Sequence, residues 1–271
     1  NFVYPLHVGN SWIYSFDIFS VLAPITDDGD GTYTSSAIVT IAISDIIELN
    51  NDIQAYEMTY TMVENEETGE NCINNCEIKY YVNNTDEGLI YYAINQSNSN
   101  EANGLPMIAD NITLKILEQI MNPINFIYLD LPNRNCMYYL EPPSIAIAYP
   151  IELYNSWIGM DDNFTSIYEE CDNSSGYLDE GSVILNSLVD QIIDTNADCF
   201  TVNESGNLLP DLANDIYTEN TKTYCINVGL TDFIANIDLG EQISTDEFGN
   251  MGEPFQSSST IELTLIEHTL Y

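Results

Sequence analysis

Tyr4-Pro5-Leu6-His7-Val8-Gly9-Asn10-Ser11-Trp12-Ile13 returns later in the chain as Tyr149-Pro150-Ile151-Glu152-Leu153-Tyr154-Asn155-Ser156-Trp157-Ile158. Six of the ten positions are identical, and the chain's two tryptophans fall at the same place in both copies. The offset of about 145 continues further on. Ser36 to Ile47 lines up with Ser182 to Ile193, and Lys79 to Asn83 with Lys222 to Asn227 after one residue of slippage. Order is kept, so two tandem domains are expected, residues 1–144 and 145–271. The junction is Glu141-Pro142-Pro143-Ser144, a stiff spacer in which neither a helix nor a central strand is expected to continue.

The motif itself reads as the entrance to a strand. Tyr-Pro opens an extended segment and Gly9-Asn10 supplies a turn with positive φ. Trp12, Ile13 and Tyr14 then start a strand whose tryptophan is expected to nucleate a core.

Working outward, strand signals dominate. Trp12 to Phe19, Ala37 to Leu49, Ala55 to Val63, Glu77 to Val82, Leu89 to Ile94 and Thr260 to Leu265 are apolar, aromatic or alternating. Val183 to Ile193 and Tyr224 to Val228 are the matching strands of the second half. Only residues 112–121 carry helical spacing, through Leu114, Leu117 and Met121, and Pro123 ends that stretch. Nineteen tyrosines suit half-buried sheets with aromatic cross-strand pairs. The fold class expected is mainly β: two tandem antiparallel β domains, sandwich or half-barrel-like, with one short helix near 112–121.

Charge restricts the partners. Forty-three acidic residues stand against Lys79, Lys115, Arg134 and Lys222, a formal net charge of −39. Four scattered basic residues make no basic surface to release phosphate counterions, so nucleic acid is excluded as a partner. Docking on an anionic membrane surface fails for the same reason. Three lysines beside 31 asparagines point to selection for an anionic surface, which keeps chains soluble and apart. No apolar run reaches the length of a transmembrane helix.

Six cysteines, Cys72, Cys76, Cys136, Cys171, Cys199 and Cys225, accompany only two histidines. That ratio suits disulfides in an oxidising compartment better than zinc. Cys199 and Cys225 are expected to pair, because the repeat puts their segments on neighbouring strands. Cys136–Cys171 and a local Cys72–Cys76 loop complete the set. The chain begins at Asn1 and reads as a mature extracellular or cell-surface protein whose signal peptide has been removed. Asn83, Asn95, Asn111, Asn163, Asn173 and Asn203 begin N-x-S/T, so glycans are possible additions wherever the source glycosylates.

Chemistry is sparse. His7 has Glu152 as its counterpart and His268 lies near the end, so no Ser-His-Asp set forms by pattern. Neither a G-x-S-x-G elbow nor a phosphate-cradling glycine loop is written in the chain. A non-enzyme is expected. Asp27, Asp28 and Asp30 sit on a glycine-turned loop, with Asp161 and Asp162 in a second acidic loop. Clustered hard oxygens of this kind suit calcium, with plain solvated loops as the other reading.

The pattern from Tyr4 to Tyr14 resembles an F/Y-P-L-x-x-G-N-x-W-x-Y motif that opens the mature domain of poorly characterised secreted bacterial proteins and lipoproteins. Tyr80-Tyr81 with Gly88-Leu89-Ile90-Tyr91-Tyr92, and Tyr224 with Gly229-Leu230, resemble the aromatic strand and G-L pair found in the same proteins. The resemblance implies antiparallel β domains outside the cytoplasm and brings no catalytic residue. Two departures stand out: Tyr154 replaces the glycine in the second copy, and the first residue is Asn1, so no lipid anchor is expected there.

Two functions are compatible with this sequence. The first is a non-catalytic structural subunit of a filament, pilus-like fibre or surface layer, a homopolymer joined by terminal-strand pairing. Asn1, Phe2, Val3 and Tyr4, uncharged and extended, are the expected contact, and Thr260 to Leu265 is the other terminal strand. The second is a monomeric secreted or periplasmic ligand-binding β protein.

Overall fold

The structure, a computed structural model, describes residues 2–23, 32–64, 76–97, 137–160, 166–171, 174–179, 185–193, 198–208, 216–245 and 251–271. The expected helix at 112–121 lies outside the described residues. Within them the chain is almost wholly strand, interrupted by one 3-10 turn at Asn50–Asp52.

Among the described residues fourteen strands follow in order: β1 Ser11–Ala23, β2 Thr32–Leu49, β3 Ile53–Glu64, β4 Cys76–Asn84, β5 Gly88–Ser97, β6 Met137–Ala148 and β7 Ser156–Met160. Then come β8 Ser166–Cys171, β9 Ser174–Asp179, β10 Leu185–Ile193, β11 Cys199–Leu208, β12 Ile216–Cys225, β13 Gly229–Thr245 and β14 Met251–Thr269. They form one sheet, ordered β7-β10-β11-β12-β13-β14-β1-β2-β3-β4-β5-β6-β8-β9, with every described pair antiparallel. Two meanders of six strands are visible in that order, β1 to β6 and β7 with β10 to β14. β14 joins them by pairing with β1, and the β8–β9 hairpin is added at β6.

The sheet must roll up. β7 and β8 are adjacent in sequence but twelve strand positions apart in the sheet, roughly 58 Å if it were flat at about 4.8 Å per strand. The five residues between them reach at most about 18 Å. Curvature resolves this, and β7 comes up against β6, where the Trp157 indole N–H donates to the Ile145 carbonyl at 3.3 Å.

Alternation decides which side is inside. Along β1, Trp12, Tyr14, Phe16 and Ile18 point into the concave core, whereas Asp17 and Phe19 are exposed. Cross-strand partners extend the apolar rows: Phe16 faces Leu263 and Ala37, Tyr14 faces Val39, and Phe233 faces Leu263. Full burial of each large apolar side chain contributes about 1.5–3 kcal/mol. One cluster containing Trp12, Val39, Tyr80, Leu89, Phe200 and Phe233 spans both meanders. The outer face carries short polar pairs, such as Ser36 Oγ donating to Asp17 at 2.6 Å and Thr260 Oγ1 to Asn236 at 3.1 Å.

Two expectations are corrected here. The Pro142-Pro143 junction does not stop the strand: β6 runs through it, pairing Tyr139 with Ala93 before the prolines and Ser144 with Tyr91 after them. The prolines sit, exposed, where the β5–β6 register shifts, a place in a sheet where a missing N–H costs no ladder bond. The Tyr224 to Val228 segment is only partly strand, because β12 ends at Cys225 and the next three residues are the turn into β13.

Candidate functional site

The repeated motif builds the same entrance twice. Gly9 N–H and Tyr154 N–H donate to Ile43 and Val189 carbonyls, each at 2.9 Å. The Asn10 and Asn155 carbonyls accept from the amides of Ile43 and Val189, also at 2.9 Å. Each asparagine side-chain amide donates back to a proline carbonyl five residues earlier, Pro5 at 2.7 Å and Pro150 at 3.1 Å. Both entrances need positive φ, +98° at Gly9 and +65° at Tyr154, so the missing glycine of the second copy leaves a tyrosine in the left-handed region. The same bonds at the same spacing explain why the motif recurs: it closes a tight turn that aims a tryptophan inward.

Each entrance then touches the other meander. Trp12 donates its indole N–H to the Val228 carbonyl at 2.5 Å, and Tyr14 its hydroxyl to the Leu230 carbonyl at 2.8 Å. Tyr4 lies with its ring against Gly229, whose φ of +92° and lack of Cβ leave room for it. Conversely, the Tyr149 N–H donates to the Glu87 carbonyl at 2.9 Å, on the β4–β5 turn. A closed ring of three bonds ties these parts together. Tyr4 N–H donates to the Tyr149 hydroxyl at 2.9 Å, that hydroxyl to Asn84 Oδ1 at 2.7 Å, and Asn84 Nδ2 to the Tyr4 carbonyl at 2.8 Å.

Phe2 completes an aromatic pocket. Its ring meets Phe200 edge-on at 4.9 Å, Tyr224 at 6.1 Å and Tyr149 at 6.2 Å, and Tyr4 lies 5.7 Å from Trp12. Of the expected contact residues, Phe2 and Tyr4 are therefore buried in the chain's own core, Val3 is exposed, and Asn1 lies outside the described residues. Residues 2 to 7 are not in a strand, so this segment is held by side chains rather than by ladder pairing. The Thr260 to Leu265 strand belongs to β14 and is paired on both sides, with β13 and β1.

Deeper inside is a polar set that sequence reading missed. Lys222 Nζ lies 2.6 Å from Glu204 Oε2, both side chains no more than 5% exposed. Asn220, opposite Glu204 in the register, is also buried, and the ammonium sits 5.8 Å from the centre of the Phe233 ring. Lys79, which aligns with Lys222 in sequence, lies instead half-buried at 3.0 Å from Glu57. One residue of slippage flips a strand side chain to the other face, and the run of residues alone does not reveal which lysine goes in. Buried tyrosine hydroxyls fill the rest of the interior. Burial pushes Tyr4, Tyr14, Tyr60, Tyr91 and Tyr224 above the usual phenol range, and the Glu204 carboxylate adds to the effect at Tyr224. Burial likewise pushes Tyr149 up to about 12, against the opposing bond from the Tyr4 amide.

Cys199 and Cys225 stand directly opposite each other on β11 and β12 and are disulfide-bonded, as expected. Cys72 and Cys136 lie outside the described residues, and of Cys76 and Cys171 only the backbone is described, in β4 and β8. Asp27, Asp28, Asp30, Asp161 and Asp162 also lie outside them. Among the described residues no group of three acidic, His or Cys side chains is placed to hold a metal ion. No helix among them is long and apolar enough to cross a membrane.

The class these observations define is a mainly β protein with one large antiparallel sheet. No family model and no curated protein matches the chain. Among solved structures, one described as that of a "putative lipoprotein" from Parabacteroides distasonis ATCC 8503 aligns over 99% of this chain and 98% of its own, at 15% identity and a TM-score of 0.35. A likeness that loose says nothing further about this chain.

Proposed function

We propose that the chain is a non-catalytic extracellular structural protein, a subunit of a fibre or surface layer made of its own copies. The observation that supports this best is the seating of the uncharged Phe2–Tyr4 segment, by ring contacts and two bonds from the Tyr4 backbone to side chains and without ladder pairing, in a pocket built largely by the far half of the chain. A contact of that kind can be offered equally to a neighbouring copy. The Cys199–Cys225 disulfide fits an oxidising exterior. The paired turns at Asn10 and Asn155 favour a duplicated organisation, residues 1–144 and 145–271, within one sheet. The resemblance of Tyr4–Tyr14 to entrance motifs of secreted bacterial β proteins agrees with that setting.

A charge of −39 opposes assembly, so divalent cations are expected to assist it. Calcium on the Asp27-Asp28-Asp30 and Asp161-Asp162 loops is the proposed cofactor. Light scattering across a calcium titration tests the reading. Growth of the particle with calcium and its reversal by EDTA are expected; a strictly monomeric chain at every calcium level removes the structural-subunit reading.

The buried Glu204–Lys222 pair favours a second reading, a monomeric secreted ligand-binding protein, because polar groups inside an aromatic shell can orient a small polar ligand. Dispersed single particles in negative stain would turn the choice toward it.

A further inference from the structure

We infer that the pocket lined by Phe200, Tyr224, Gly229 and Tyr149 is an acceptor for the Phe2–Tyr4 segment of a second copy of this chain, a proposal that rests on the structural-subunit reading. The occupant is already visible, since the chain's own segment fills the pocket: Phe2 packs 4.9 Å from Phe200 and Tyr4 lies against Gly229. Nothing in those contacts depends on the segment and the pocket sharing a chain. Exchange between copies re-forms the same ring contacts and the same Tyr4–Tyr149–Asn84 bonds, which is why swapping costs little.

Local structure supplies the hinge. His7, Val8 and Gly9 are exposed, and Gly9 holds φ of +98°. Past it the chain is fixed firmly, because Asn10 is buried and bonded to Tyr271, and β1 is paired on both sides. Motion of residues 2 to 6 therefore breaks the Asn10–Pro5 bond, which an exchanged segment re-forms, but requires no change in the sheet. Tyr149, the matching residue of the second copy, is held between β6 and β7 and has no such freedom. Charge also selects this segment. No charged side chain occurs from Phe2 to Leu6 and the pocket walls are aromatic, so two strongly anionic chains can meet here without opposing charges at the contact.

The test uses the full chain carrying Phe2→Ala and Tyr4→Ala, with a synthetic peptide of residues 1–6. Saturable binding is expected, read from the change in tryptophan emission as Tyr4 of the peptide packs against Trp12, with a rise of the thermal midpoint by about 5 °C. The same peptide with both aromatic residues changed to alanine should do neither. If the double variant does not fold, Tyr4→Leu alone carries the same measurement. A folded variant that ignores the peptide overturns the proposal, even where wild-type assemblies form, and leaves the subunit reading standing on another contact. A wild-type chain that stays monomeric while its variant binds the peptide also overturns exchange, and removes the subunit reading with it.

Discussion

Asn10 carries an unusual share of the architecture for a single side chain. Its amide donates to the Pro5 carbonyl and its oxygen accepts the Tyr271 N–H at 2.8 Å, so it ties the chain's first turn to its last residue. Because Asn10 is buried, Asn10→Ala strands two polar groups, and a loss of about 2–3 kcal/mol in urea unfolding is expected. Asn155→Ala, at a half-buried site with a longer 3.1 Å bond, should cost about 1 kcal/mol. Equal losses at the two sites would contradict the roles assigned to them. The Glu204–Lys222 pair behaves differently. Lys222→Met alone leaves a buried carboxylate without its cation and should cost about 3–5 kcal/mol. Adding Glu204→Leu should recover most of that loss, because an apolar pair of similar size avoids desolvating two charges. A double variant as unstable as the single one would mean that the pair does more than offset its own burial. Neither partner's depth was legible in the sequence, where Lys222 aligns with the half-buried Lys79.

At the scale of elements, strands announced themselves wherever one face is buried. Alternation in Trp12 to Phe19 and Thr260 to Leu265 matches β1 and β14 because the sheet has one concave apolar side. β6 was hidden because Pro142-Pro143 reads as a stop, yet a register shift absorbs both prolines. The disulfide between Cys199 and Cys225 was legible through the repeat, which put their strands side by side. The same logic carries to β6 and β8. Their register pairs Met137 with Glu170, and the next residues outward in sequence are Cys136 and Cys171. A Cys136–Cys171 bond is expected; peptic mapping of the unreduced protein should find the joined peptides, and alkylation of either thiol would contradict it.

For the whole molecule, the sequence indicated two units but not that they share one sheet and one aromatic core. Which strands become neighbours across the β14–β1 seam depends on long-range register, and no local pattern encodes it. The buried tyrosines give the shared core a pH signature. Their folded pKa values are raised, so the unfolded chain loses these protons first as pH climbs past about 10. Stability is therefore fully present below that point and falls above it. Absorbance at the phenolate band should rise together with cooperative unfolding; smooth ionisation of all tyrosines in a folded chain would contradict their burial.

The claim that the two repeats interlock into a single body is open to a more direct measurement, because each entrance motif holds one of the two tryptophans. Trp157→Phe leaves Trp12 as the only reporter, and Trp12→Phe leaves Trp157. The variants differ in stability, so each is followed in urea by its tryptophan emission and by far-ultraviolet circular dichroism. Interlocked halves predict that the two signals coincide within each variant, in one transition. Separate transitions, with one tryptophan exposed while half of the strand signal survives, would contradict it and restore two independent domains.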